Sequence, residues 1–190
     1  YKGVKFMLWI ILIIVVLLIL FIISAYNSLV TLRQRVKNAF GQMDVQLQRR
    51  FDLIPNLVET VKGYMTHESD TLAKVTELRT AWAGAKTVDE KAKLDNELSN
   101  TLKTIMAVAE AYPDLKANQN FASLQKELTE TEDKISYSRQ FYNDTVTRYN
   151  TKLELFPSNI IAGMFHFTAE SLFEVDSAEA RKNVKVDFNK

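Results

Sequence analysis

FASLQKELTETEDKISYSRQFYNDTVTRYNTKLELF, residues 121–156, places an apolar side chain at every seventh position: Phe121, Leu128, Ile135, Tyr142, Tyr149 and Phe156. Leu124, Val146 and Leu153 occupy neighbouring positions on the same stripe. A seven-residue apolar period marks the seam of a left-handed supercoil, as in coiled coils and up-and-down bundles. Polar runs between these positions, such as Glu130-Thr131-Glu132-Asp133-Lys134, are expected on the solvated face. The stretch therefore predicts one long helix that buries a single stripe against other helices.

Upstream the same periodicity continues. Leu72, Val75, Leu78 and Trp82 predict a helix that stops at Gly84, and Leu94, Leu98, Leu102, Ile105, Ala109 and Tyr112 predict another that ends before Pro113. Thr87-Val88-Asp89-Glu90 has the spacing of a capping box, in which Thr and Glu satisfy each other's orphan N–H groups. Connections at 84–87 and 113–118 are short, which implies antiparallel neighbours. Five glycines and three prolines in 190 residues are too few for a fold of many short strands.

The N-terminal run FMLWIILIIVVLLILFIISA, residues 6–25, carries no charge. At 1.5 Å per residue it spans about 30 Å, the thickness of a bilayer's hydrocarbon core. Phe6, Trp9, Ile14, Leu20 and Ala25 mark its course, and Trp9 and Tyr26 suit the two interfaces. A cleaved signal peptide has a shorter apolar core and a small-x-small site, and Ile23-Ser24-Ala25 lacks the first small residue. A retained single span is the expectation. Leu29, Leu32, Val36, Phe40, Met43 and Leu47 carry the helical period on without a break, so the anchor should continue into the first soluble helix as one rod. Arg33, Arg35 and Lys37 outnumber Lys2 and Lys5 across the span, which tilts the reading toward a cytoplasmic C-terminal domain.

VQLQRRFDLIPNLVETVKGYM, residues 45–65, interrupts that rod with Arg49, Arg50, Asp52 and Pro55. Pro55 cannot donate to the carbonyl of Phe51, so the helix must kink or restart, with Asp52 placed to cap a restart. No glycine lies between 42 and 62, which favours a kink over a reversal. Arg49 and Asp52 can pair across one turn, worth only about 0.2–0.5 kcal/mol if exposed. Two readings stay open: a plain kink, or a docking notch where Arg49 and Arg50 reach a partner's carboxylates or lipid headgroups.

YNSLVTLRQRVKNAF (26–40), DVQLQRRFDLIPNLVETVKGY (44–64), AYPDLKANQNFASLQKELTETE (111–132) and YNDTVTRYN (142–150) resemble the LemA family of bacterial membrane proteins, with similarity over nearly all of 24–165. The resemblance implies a single N-terminal membrane helix, an antiparallel helical bundle and a short N-terminus outside the cell. It implies no established activity and no agreed active site.

Chemistry-bearing patterns are scarce. The chain has no cysteine, which excludes disulfides, thiolate metal sites and cysteine nucleophiles. A net charge of +1, with aromatics at helical spacing and no interleaved basic clusters, sets nucleic acid aside. His67 and His166 stand far apart with no metal-binding spacing, and no P-loop, G-x-S-x-G or dinucleotide fingerprint occurs. No catalytic, metal or cofactor residue is therefore expected, nor a small-molecule substrate. The Tyr142–Tyr149 stripe is read as bundle core. After Pro157, Ile160, Ile161, Met164, Phe165, Phe167, Leu172 and Phe173 crowd together. This segment either folds over the bundle's end or forms a contact surface for a subunit, a partner or the membrane face. Val184, Val186 and Phe188 alternate like a strand with no partner strand in the chain.

The expected architecture is all-α: a transmembrane anchor (1–25) continuing into an antiparallel up-and-down four-helix bundle (26–156), then a C-terminal apolar segment and tail (157–190). The expected function is that of a non-enzymatic, single-pass scaffold or adaptor in the bacterial inner membrane. It would meet lipid and act by protein–protein association, as a homo-oligomer or with other membrane proteins. A lipid-binding or membrane-remodelling protein is the alternative, and a membrane-tethered enzyme the third. The enzyme reading requires a buried polar cluster inside the bundle.

Overall fold

A computed structural model describes residues 2–175, and every described element is helical. In chain order these are α1 (Lys2–Asp52), α2 (Ile54–Val61), α3 (Ser69–Gly84), α4 (Val88–Ala109), α5 (Pro113–Lys116), α6 (Gln119–Glu154) and α7 (Ser158–Met164). The expected all-α class, with one long apolar N-terminal helix, is what the chain adopts. Val184, Val186 and Phe188 lie outside the described residues.

The chain forms two compact units. One comprises residues up to Gln42 with Gln140–Ser171, the other Met43–Arg139 with the described residues from Leu172. The first unit contains the part of α1 that is long and apolar enough to cross a membrane. Phe6, Trp9, Ile14 and Leu20 are exposed there, as is every large apolar side chain from Phe6 to Phe21, whereas Ala25 is buried. Ala25 and Leu29 form a small core with Ile161 and Ala162 of α7, flanked by Ile22, Leu153 and Phe167. Buried Tyr142 and Tyr149 on α6 complete this unit's interior, with Phe40 packed at 5.7 Å from the Tyr142 ring.

In the second unit, Met43, Leu47 and Phe51 of α1, Leu57 and Val61 of α2, Val75 and Trp82 of α3, Leu98 and Ile105 of α4, and Phe121 and Ile135 of α6 are buried. Only Ala85–Thr87 joins α3 to α4, so the two run antiparallel. The capping box forms as expected: Thr87 Oγ1 accepts from the Glu90 N–H at 3.1 Å, while Glu90 Oε2 accepts from the Thr87 N–H at 3.1 Å.

The interruption after Asp52 is a single residue. Leu53 keeps αR dihedrals, Leu57 N–H bonds to its carbonyl at 3.0 Å, and Pro55 sits in the first turn of α2, where an N–H has no helical partner to lose. The chain continues through Leu53 without reversing. Asp52 does not cap the restart, because Leu53 holds the cap position and no side chain bonds there. Asp52 instead accepts from Gln48 Nε2 at 2.8 Å, one turn back on the same helix.

The seven-residue series also ends one step early. Phe121, Leu128, Ile135, Tyr142 and Tyr149 are buried, but α6 stops at Glu154 and Phe156 is 79% exposed. Beyond the helix the periodicity no longer points a side chain at the stripe.

Candidate functional site

The second unit holds a buried polar cluster. Arg50, 4% exposed, reaches from α1 with Nη1 2.8 Å from Asp95 Oδ1 on α4 and Nη2 2.7 Å from Glu132 Oε2 on α6. Asp95 is 1% exposed, whereas Glu132 is about half out of water. Arg50 Nε is buried without a hydrogen-bond partner. Burial pushes the Asp95 carboxyl above its usual range; Arg50 opposes that shift and the Glu132 charge adds to it. Beside the cluster opens a cavity of about 710 Å3, bordered by Arg50, Asn96, Ser99, Gln125, Glu132 and Arg139 among others. Trp82 braces the same unit: its ring stacks on Phe51 at 4.3 Å, Nε1 donates to Gln48 Oε1 at 2.9 Å, and the Lys91 ammonium lies 5.0 Å from its centroid.

These positions alter the reading of the 45–65 stretch. Arg49 is exposed, but Arg50 does not reach outward; its carboxylates are those of its own chain. Glu132 and Thr131, expected on the solvated face, are half-buried and buried. Asp95 was not singled out from the sequence at all. Its signal is the register Ala92, Asp95, Leu98, Leu102, Ile105, Ala109: the buried stripe of α4 passes through Asp95 and leaves Leu94 half-buried. Among the described residues no group of three or more His, Asp or Glu is placed to hold a metal ion.

In the first unit the C-terminal segment divides. Ile161 is buried on α1, and Phe167 is partly buried beneath the Arg33 guanidinium, 5.0 Å from its ring centroid. Ile160, Met164 and Phe165 are exposed, although the Phe165 ring also lies 4.8 Å from Tyr26. After the turn at 165–166, residues 167–171 form a strap without regular secondary structure, held by α6 side chains. Tyr149 Oη donates to the Thr168 carbonyl at 3.0 Å and Tyr142 Oη to the Ser171 carbonyl at 2.8 Å. Asn150 pairs with the Glu170 backbone in both directions at 2.9 Å. Burial, with the nearby Glu170 charge, raises the Tyr149 hydroxyl pKa, and Arg33 opposes the shift. In the second unit, Phe173 is buried and Asn96 Nδ2 donates to the Glu174 carbonyl at 3.1 Å.

Protein LemA of Metamycoplasma hominis is 24% identical over 155 residues, which covers 80% of this chain and 70% of the relative. Magnetosome protein MamQ 2 of Paramagnetospirillum magneticum is 25% identical over 179 residues, covering 80% of this chain and 66% of the relative. Magnetosome protein MamQ of Magnetospirillum gryphiswaldense is 22% identical over 178 residues, with 80% and 65% covered. The chain thus spans about two thirds of the length of these relatives. The family model for LemA matches residues 39–188, taking in α2 to α7 and the buried cluster, and the chain belongs to the LemA family.

Proposed function

We propose that this protein is a non-enzymatic, membrane-anchored scaffold or adaptor that works by protein–protein association, self-assembly included, at the bacterial inner membrane. In this reading it crosses the membrane once and its bundle faces the cytoplasm. The observation that carries the proposal is the continuity of α1. A single helix of 51 residues carries the apolar span and, directly after it within the same unit, the core side chains Ala25 and Leu29 that pack on α7. Confinement to one membrane raises the effective concentration for weak lateral contacts. That relatives are named magnetosome proteins supports a role as part of a larger bacterial structure.

The test is the native mass of gently solubilised protein beside that of a fragment beginning at Tyr26. A defined assembly that dissociates when the anchor is removed supports self-association. A monomer in both forms removes self-assembly and leaves an adaptor, whose partner must be crosslinked in its own membrane.

One observation favours a second reading. The cavity beside Arg50, with an unpartnered buried Nε at its edge, meets the condition of a polar cluster inside the bundle. Its charged lining balances, with Arg50, Lys103 and Arg139 against Glu132 and Asp133 and with Asp95 behind Arg50, so it suits a small polar molecule of little net charge. A small-molecule adduct retained in the intact mass of wild type and lost in Arg139→Ala would favour this reading. Wild type and variant that both show only the mass of their own polypeptide count against it.

A further inference from the structure

We propose that the outer face of α7, with Leu155, Phe156 and Phe165 beside it, lies in the bilayer interface next to the C-terminal end of the span and forms a second membrane contact. This rests on the reading of α1 as a membrane anchor.

The inner face of α7 fixes its level along α1. Ile161 and Ala162 pack on Ala25, the last residue of the uncharged run, and on Leu29; Ile22, inside that run, joins the same cluster. From Ile22 to Leu29 the helix rises about 10 Å. That compares with the ~5–8 Å headgroup layer on each side of a ~30 Å hydrocarbon core. So α7 is seated where hydrocarbon gives way to headgroups.

Its outer face has the matching chemistry. Phe156 is 79% exposed, Met164 60% and Ile160 52%, with Leu155 and Phe165 about half exposed. No residue from 155 to 169 carries an Asp, Glu, Lys or Arg side chain. The buried hydroxyl of Ser158 is satisfied internally, its Oγ shared between the Lys152 and Leu155 carbonyls at 2.7 and 2.8 Å. Just past the span, Tyr26 meets the rings of Phe165 and Phe167, and the guanidinium of exposed Arg33 lies over Phe167, an arrangement that suits headgroup depth.

A second copy of the chain is a less fitting cover than lipid. α7 packs on Ile22 and Ala25, whose chain neighbours Phe21 and Ile23 are exposed and face lipid if α1 crosses the membrane. With both elements immersed, the apolar surface of this unit is covered continuously without any partner. Two points of contact also fix the rotation and tilt of α1, which a lone helix leaves to its neighbours.

The chain has no native cysteine, so single-site spin labels can be placed on the full-length protein in bilayers. Ile160→Cys and Met164→Cys are the test sites, Ile14→Cys reports the span, and Ser123→Cys reports a water-exposed site. The expected result is an oxygen-to-nickel-chelate accessibility ratio several-fold higher at 160 and 164 than at 123, approaching that at 14. If position 14 reads as lipid while 160 and 164 read as water, the anchor stands and the inference falls. Shielding of 160 and 164 from both reagents means a protein cover and also overturns it. Water access at 14 would instead remove the anchor reading.

Discussion

Arg50 donates from Nη1 to Asp95 Oδ1 at 2.8 Å, with both residues almost wholly out of water. The pair joins α1 to α4, and the second guanidinium nitrogen extends it to Glu132 on α6. Three helices are thereby held in one register by a cluster that a purely apolar layer would not specify so sharply. Removing one partner of a buried pair strands the other. Asp95→Ala is expected to destabilise the full chain by about 3–5 kcal/mol, read by denaturant unfolding in detergent. The exposed Lys62–Glu59 pair on the same protein provides the contrast: Glu59→Ala should shift stability by less than about 1 kcal/mol.

The pH dependence of this cluster has a definite sign. Burial raises the Asp95 pKa in the folded state above its ordinary value of 3.8, so the folded chain binds more protons than the unfolded one over the window that begins near 3.8 and runs up to the raised value. Stability from this group is fully present below 3.8 and falls as pH rises through the window. Asp95→Asn, which keeps the shape and an acceptor for Arg50, should remove this falling component. The check is the wild-type minus Asn difference in unfolding free energy from pH 3 upward: a difference that rises with pH would reverse the assignment.

The strap predicts a local effect. Asn150 makes two hydrogen bonds to the Glu170 backbone across twenty residues of chain. Each net bond contributes about 0.5–1.5 kcal/mol, so Asn150→Ala should cost about 1–3 kcal/mol. Tyr149→Phe removes one bond and should cost about 1 kcal/mol while leaving the ring in place. Amide hydrogen exchange between 165 and 171 should speed up in both variants, with α3 and α4 unchanged.

Features that depend on local chemistry were legible in the sequence. Gly84 and the Thr87–Glu90 box set a helix end and a helix start through backbone groups within four residues of themselves. The rod through Ala25 was legible because nothing in its side chains breaks the period. The direction of Arg50 was not, since Arg49 and Arg50 are the same residue one position apart. Which of them turns inward is decided by carboxylates 45 and 82 positions downstream. Asp95 was hidden because a charged residue on an apolar stripe looks like a misregistered stripe; only its ion pair explains it. The strap has no periodicity to read, and its contacts are side-chain hydrogen bonds to backbone groups. Phe156 misled because a heptad count does not know that the helix ends at Glu154.

At the end of α7, His166 occupies a position that glycine usually fills. Its φ is 55°, in the left-handed region, and it closes a two-bond helix end: Phe167 N–H bonds to the Ala162 carbonyl at 2.9 Å and His166 N–H to the Gly163 carbonyl at 3.3 Å. Phe167, just beyond, packs on the Ala25–Leu29–Ile161–Ala162 core, which supplies the apolar contact that accompanies this motif. A side chain with a Cβ is strained in that backbone region, and the strain is relieved when the Cβ is removed. His166→Gly is therefore expected to stabilise the chain, by about 1 kcal/mol after the entropy that glycine adds to the unfolded state. His166→Val, β-branched and worse suited to positive φ, should destabilise it. Thermal unfolding in detergent orders the three: Gly above wild type, wild type above Val. A glycine variant less stable than wild type would mean that the imidazole itself makes a stabilising contact that outweighs the backbone strain.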